Sequence, residues 1–505
     1  MELLSPAGNS QKLYYAYAYG ADAAYIGLKQ FSLRAKADNF YEEDVSRVRA
    51  LKEQFPNKKL HCALNIIFHN KDIDNLLQSV DYFKQYPIDA FIVQDLGIVP
   101  ILQKHFPNAA LHLSTQASCV NREAVKMYKS MGFSRVVLGR EAGLAEIRQI
   151  KDAVPDMELE VFVHGAMCIA YAGRCLMSAY LTNRSAQGGL CSHACRWNFR
   201  LNVNGQNGAA ETADRLTQAE AKKIAQSGGL VLEEASRPGE YLPVFEGDDF
   251  TAILSSKDLR MIEHLDGLKA AGVDSLKIEG RMKSVYYVAL VTRAYRKALD
   301  ALEGKITDEE AAPFVAELEN VSHRESTTGF YYSAADANKT ASGASDSPYD
   351  LAATIGRRLS DGELGALLQK GDESIKSRQI QLDSMHPAAR AARLSDYQKH
   401  PDKAPPAVQP REGWSAYLYQ PMNMVKAGDQ IEFVSPDVTA LVSQKDSWLF
   451  IDPETGLERS WACDGHDCVI YTKYGLQDGT IVRTKDPEYI PGVIRDTGRT
   501  KNKAE

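Results

Sequence analysis

Eight short apolar runs recur at intervals along the first 280 residues: Glu2–Ser5, Ala23–Gly27, Leu60–Ile66, Ala90–Val93, Leu111–Ser114, Arg135–Gly139, Glu158–Val163 and Ser275–Ile278. Most are separated by about 20–35 residues, the length of one strand–helix unit of a parallel sheet. The connecting stretches Gln11–Tyr19, Glu42–Gln54, Asp72–Gln85 and Arg122–Met131 have helical periodicity and no internal proline. Glycines at Gly20, Gly132 and Gly272 stand where a helix ends just before a strand begins. Eight such units fit a (β/α)8 TIM-like barrel better than an open doubly wound sheet. Ala252–Ser255 is one strand candidate too many.

In such a barrel, chemistry gathers where strands end and loops begin. The strand ends here supply Ser5, Asn65, Gln94, Asp95, Gln116, Arg140, Glu141, His164 and Glu279-Gly280-Arg281. That is a polar crown, although polar strand ends are common in barrels of any function. Tyr286, Leu290, Tyr295 and Leu299 form one stripe on the helix Val285–Leu302, the pattern of a helix packing on its sheet.

At 505 residues the chain exceeds one ordinary domain, and its composition changes after Phe330. Residues 1–333 read as the barrel. Residues 334–411 read as a polar helical insertion and linker, with helical patches at Asp361–Gln369 and Pro387–Lys399 and a proline-rich stretch at Pro401–Pro406. Residues 412–505 read as a small β-barrel-like domain, from the runs Ala416–Tyr419, Gln430–Val434, Trp448–Ile451, Val469–Tyr471 and Thr480–Val482. No apolar run is long enough to span a membrane, and the first residues lack the pattern of a signal peptide. A cytoplasmic location follows as an expectation. In a reducing cytosol, clustered cysteines point to metal rather than to disulfides.

A net charge of −7 argues against simple coating of nucleic acid, but the charge is unevenly placed. Val161–Ala210 contains no Asp or Glu in fifty residues, where the chain's overall acidic frequency would place about six. The stretch carries His164, Arg174, Arg184, His193, Arg196 and Arg200. It would attract phosphate or a small anionic co-substrate.

Cys168, Cys175, Cys191 and Cys195 lie in that same stretch, directly after the seventh apolar run. Four thiolates within 28 residues can supply a whole iron–sulfur cluster shell. Structural zinc is the alternative, yet zinc sites favour pairs two to four residues apart, a spacing met here by Cys191 and Cys195 alone. Four unrelated buried thiols are the bland alternative. The compact triplet of radical enzymes using S-adenosylmethionine is broken, since Asn198 stands where its third cysteine would be. The chain has no His-Glu-x-x-His helix, no phosphate-binding G-x-x-x-x-G-K-[ST] loop and no dinucleotide fingerprint. Cys463 and Cys468, with His466 between them, read either as a second metal loop or as a turn bearing free thiols; Cys62 and Cys119 read as buried packing residues.

The motifs Glu160-Val-Phe-Val-His-Gly-Ala-Met-Cys168, Gly173-Arg-Cys175-Leu-Met-Ser178 and Cys191-Ser-His-Ala-Cys195-Arg-Trp197 are joined by Arg237-Pro-Gly-Glu-Tyr241, Ser256-Lys-Asp-Leu259 and Ser275-Leu-Lys-Ile-Glu-Gly-Arg-Met-Lys-Ser284. Together they resemble the collagenase-like peptidase family U32, and most closely its branch of prephenate-dependent tRNA uridine 5-hydroxylases. The resemblance covers roughly residues 1–335; residues 334–410 do not align, and the Cys463/Cys468 pair is foreign to the family. It implies an iron–sulfur, RNA-modifying enzyme with a [4Fe–4S] cluster on Cys168, Cys175, Cys191 and Cys195, tRNA as partner and prephenate as co-substrate. With that activity, Arg281 is the first choice for clamping an anion, helped by Lys283 and by Lys277 if the strand turns it inward. Glu279 and His164 are the choices for proton transfer. A salt bridge between Glu279 and Arg281 that merely closes the barrel is the structural alternative. A peptidase, a non-catalytic cluster protein for electron transfer or scaffolding, and a hydroxylase of a small aromatic molecule are the rival functions.

Overall fold

The computed structural model describes residues 1–32, 38–168, 170–175, 177–182, 185–186, 190–192, 231–233, 241–243, 245–246, 251–252, 256–333 and 347–486. Two compact units emerge, one over Met1–Ser347 and one beginning at Pro348.

The first unit is a closed barrel of eight parallel strands. They are β1 (Glu2–Pro6), β2 (Ala23–Ile26), β3 (Lys59–Leu64), β4 (Ala90–Val93), β5 (Ala110–Leu113), β6 (Arg135–Val137), β7 (Glu158–Ala166) and β8 (Ser275–Ile278). Neighbours pair in chain order, and β8 closes the ring by pairing with both β7 and β1. Each strand falls on one of the eight apolar runs. The surplus run does not join the ring: Thr251–Ala252 pairs instead with Phe245–Glu246 in a separate two-stranded ribbon, and 253–255 lie outside the described residues. The helix Ser10–Ala18 starts on Asn9, whose side chain accepts from the Lys12 amide, and is followed by Gly20 at φ +106°. That left-handed turn sends the chain back into β2.

Side chains alternate along each strand, so every second one enters the lumen. Leu4, Ala23, Tyr25 and Ile92 pack together there. Below them the first turn of the barrel is ionic. Arg135 pairs with Glu2 at 2.5 Å, with Glu158 at 2.8 Å and with Glu160 at 3.0 Å, while Lys277 donates to Glu160 at 2.6 Å. Ser275 Oγ donates to Glu2 at 3.2 Å and to Glu160 at 3.3 Å. Burial alone would raise the Glu160 carboxyl, but the Lys277 and Arg135 charges outweigh it and hold it at about 2. His61 and His112 meet edge to face at 4.8 Å beside this network, and burial lowers His61 to about 4.

The outer helices cover the sheet; Val285–Leu302 is buried along most of its length, as its stripe predicts. A short strand, Asp258–Arg260, runs antiparallel along β7 and parallel to Ser326–Thr327. Beneath it the buried Asp258 carboxylate takes Arg324 Nε at 3.0 Å.

The second unit is an eight-stranded antiparallel sheet in the order Leu441–Val442, Glu432–Val434, Ile481–Lys485, Tyr349–Arg358, Ser415–Pro421, Cys468–Thr472, Trp448–Ile451 and Glu458–Arg459. Its core holds Ile355, Tyr417, Tyr419, Phe433, Phe450 and Ile470. The composition of 334–411 predicts an insertion, yet Tyr349–Arg358 lies at the centre of this sheet. Its alternation is broken by register shifts against both neighbours, which hides the strand from a period-two reading. The helices Asp361–Asp383 and Pro387–Lys399 follow it in the same unit. Among the described residues, no helix is long and apolar enough to cross a membrane.

Candidate functional site

The mouth at the C-terminal ends of the strands divides the polar crown into two groups. Ser5 turns outward to Thr292 at 2.7 Å, and Asp95 spends both oxygens on the backbone amides of Gly97 and Phe68, each at 2.9 Å. Both therefore hold structure. Gln94, Gln116, Arg140, Glu141 and Glu279 stay at the mouth.

His164 belongs to neither group. In β7 the register slips so that Phe162 faces Lys277 while His164 faces Ile278, leaving Val163 as one extra residue. This β-bulge reverses the alternation and turns His164 out of the lumen. The ring packs between Tyr287 at 5.9 Å and Tyr295 at 5.5 Å, and Nδ1 lies 3.4 Å from the Tyr295 hydroxyl. Burial lowers it to about 3, so it is neutral at ordinary pH. The structure thus separates His164 from Glu279, its expected partner in proton transfer. A bulge leaves no mark in the residue pattern, so the sequence could not announce it.

Arg281 is 3% exposed and reaches over the end of β2, where its guanidinium donates to Ser32 Oγ. Gly27 makes room for it: a Cβ there would stand 2.0 Å from Arg281 Nη1. Glu279 Oε2 lies 3.6 Å from Arg140 Nη2. Arg140 stacks on Phe162 with its guanidinium carbon 4.0 Å from the ring centre, and Nη1 donates to the Ala166 carbonyl at 3.1 Å. Lys277 faces the lumen but is bound to Glu160, and Lys283 donates to the Ser322 carbonyl at 3.2 Å.

Beyond β7 the chain folds over this mouth. Glu141 accepts from the Ala172 amide at 2.7 Å, and Arg174 Nε donates to the Gln116 carbonyl at 3.0 Å. These bonds tie the loop bearing Cys168 and Cys175 to the ends of β6 and β5. Ser178 Oγ accepts from Ser192 N at 2.9 Å and lies 3.0 Å from Ser192 Oγ, which brings the segment carrying Cys191 to the helix Met177–Thr182. Cys168 is exposed, and Cys175 and Cys191 are half-buried. Cys195 lies outside the described residues. The donor chemistry fits an iron–sulfur cluster, although no three donors converge on one point among the described residues.

Several buried polar atoms at the mouth have no hydrogen-bond partner: both amide atoms of Gln94, Gln116 Oε1, Arg140 Nε and Glu141 Oε2. The sequence named these residues but could not rank them above Ser5 or Asp95. Elsewhere, Cys468 is buried in a core strand with its thiol pushed up to about 12 by burial, whereas Cys463 is only half-buried. The free-thiol turn describes them better than a metal loop does. Cys62 and Cys119 are buried, as expected.

Over 342 residues the chain is 40% identical to tRNA hydroxylation protein P of Escherichia coli (strain K12), an alignment covering 65% of this chain and 74% of the relative. It is 36% identical over 335 residues to tRNA hydroxylation protein P1 of Bacillus subtilis (strain 168), covering 65% and 70%. The 23S rRNA 5-hydroxycytidine C2501 synthase of Escherichia coli (strain K12) is 33% identical over 363 residues, covering 70% of this chain and 48% of that protein. Residues 8–341, well over half of the chain, match the sequence model of the peptidase family U32. The chain therefore belongs to peptidase family U32.

Proposed function

We propose that this protein is an enzyme that hydroxylates the wobble uridine of tRNA, with prephenate as co-substrate. In this reading Cys168, Cys175, Cys191 and Cys195 hold a [4Fe–4S] cluster. The observation that carries it is the anchoring of the cysteine loop on Glu141 and Gln116, over a barrel mouth that holds unpartnered buried atoms of Gln94, Gln116, Arg140 and Glu141. Relatives named for hydroxylation of tRNA and rRNA bases support the choice of substrate. A bound cluster would supply redox-active, Lewis-acidic iron close to the mouth. Glu279 is assigned to proton transfer at the substrate. His164, neutral and turned toward Tyr295, supports the end of β7 and so the start of the cysteine loop.

The test compares wild-type protein with Cys168→Ser, both purified without oxygen, for iron, sulfide and visible absorbance. Nucleosides of tRNA from a deletion strain carrying either version are measured beside them. Iron and sulfide lost in the variant, together with loss of 5-hydroxyuridine, is the expected result. Peptide hydrolysis by cluster-free protein, with tRNA unaltered by the deletion, would return the peptidase to first place.

A further inference from the structure

Four arginines of this molecule hold a carboxylate in the same way. Arg135 grips Glu158, Arg260 grips Glu263, Arg324 grips Asp258 and Arg483 grips Glu432, each through the side edge of the guanidinium formed by Nε and Nη2. In each pair both nitrogens meet one carboxylate oxygen, so this edge is where these arginines take a carboxylate. Arg140 uses its other nitrogen, Nη1, for the Ala166 carbonyl, and its plane is set by stacking on Phe162. On its side edge Nε has no partner, and Nη2 has Glu279 only at 3.6 Å, beyond a good hydrogen bond.

The geometry points to Arg140, rather than Arg281, as the clamp for a small carboxylate co-substrate at the barrel mouth. The ligand's carboxylate takes the Nε–Nη2 edge that Glu279 only partly occupies. The inference rests on the proposed use of prephenate, and it assigns a residue to one of that molecule's two carboxylates. A second observation marks the same place: the Gln94 carboxamide and Gln116 Oε1, at the ends of the adjoining strands β4 and β5, are buried and unpartnered. They offer hydrogen bonds for the polar remainder of the ligand. The Arg140 side chain is only 16% exposed, which suits a small molecule entering the mouth better than a phosphate of an RNA backbone.

The experiment is calorimetric titration of the full chain with prephenate, and separately with unmodified tRNA, for wild type, Arg140→Gln and Arg140→Lys. Thermal unfolding of each protein is recorded alongside. Prephenate affinity should fall by about tenfold or more in Arg140→Gln, and by a smaller factor in Arg140→Lys, which keeps the charge but loses the fork. Binding of tRNA should stay within about twofold. Should Arg140→Gln fail to fold, Arg140→Lys decides, and unchanged prephenate affinity in it overturns the assignment. Prephenate binding equal in wild type and Arg140→Gln overturns the clamp and leaves the proposed function standing. Loss of tRNA binding with prephenate binding intact also overturns it, in favour of a phosphate contact. No prephenate binding by wild type removes the co-substrate reading itself, and the clamp with it.

Discussion

At the N-terminal end of the lumen, Glu2, Arg135, Glu160, Ser275 and Lys277 bond to one another in a buried network of hydrogen-bonded charges. At the C-terminal end, Gln94, Gln116, Arg140 and Glu141 each leave at least one buried polar atom unpartnered. Both ends are polar and both are enclosed by the same eight strands. The difference is in the charged groups: those of the closed end are all bonded, although Nδ1 of His61 and of His112 beside them lacks a partner. A buried polar group without a partner costs about 1–3 kcal/mol, so a fold keeps several together only where something else uses them. The closed end holds the barrel together, and the open end is where we propose that a ligand is received.

Removing one member of the closed network should have the largest effect. Glu160→Ala leaves Lys277 and Arg135 buried beside an empty place, and should cost about 3–5 kcal/mol in denaturant unfolding. A loss below about 1 kcal/mol would show that the network is not structural.

Acidification should weaken the barrel in two stages. His61 and His164 are depressed to about 4 and about 3 from 6.5, because burial disfavours their charged forms. The unfolded chain therefore binds protons first as the pH falls through 6.5, and stability declines from there toward the folded values. Glu160 is held at about 2 against an ordinary 4.5; its stabilisation is complete above 4.5 and is lost as the pH falls toward 2. Unfolding midpoints measured from pH 8 downward check this, and His61→Gln should flatten the upper limb.

At the open end the effects should fall on activity more than on stability. Arg281→Ala frees the loop after β2 and should reduce hydroxylated tRNA in complemented cells by roughly tenfold or more, while iron content is retained. Wild-type nucleoside levels would remove Arg281 from the site. The smallest effect on stability is the most telling. Gln94→Leu removes two unsatisfied atoms, so it should leave unfolding free energy unchanged or raise it by up to about 1 kcal/mol, while turnover falls. A loss of stability there would mean that the carboxamide has a structural partner.

The sequence made the barrel legible because each strand run is short, apolar and regularly spaced, and because Gly20, Gly132 and Gly272 mark helix ends, all three at positive φ. It also placed Cys168 and Cys175 on the chain directly after β7. Tyr349–Arg358 is not legible in the sequence because its register shifts against both partners and both partner strands are distant in the chain. Within the site, the strand ends were readable as a crown but not as a ranking. Ser5 and Arg140 look alike as strand-end polar residues, and only their neighbours separate a hydroxyl bonded to Thr292 from a guanidinium edge with no partner.

What the sequence by itself determined is the repeating strand–helix order, its closure as an eight-stranded ring and the cysteine-bearing loop, since these depend on local periodicity and chain spacing. Only the tertiary structure decided where each side chain points. One extra residue in β7 turns His164 outward, the space at Gly27 draws Arg281 over β2, and Arg140 is left at the mouth on Phe162. The physical reason is that direction and satisfaction are properties of contacts between strands far apart in the chain, and no local pattern records them.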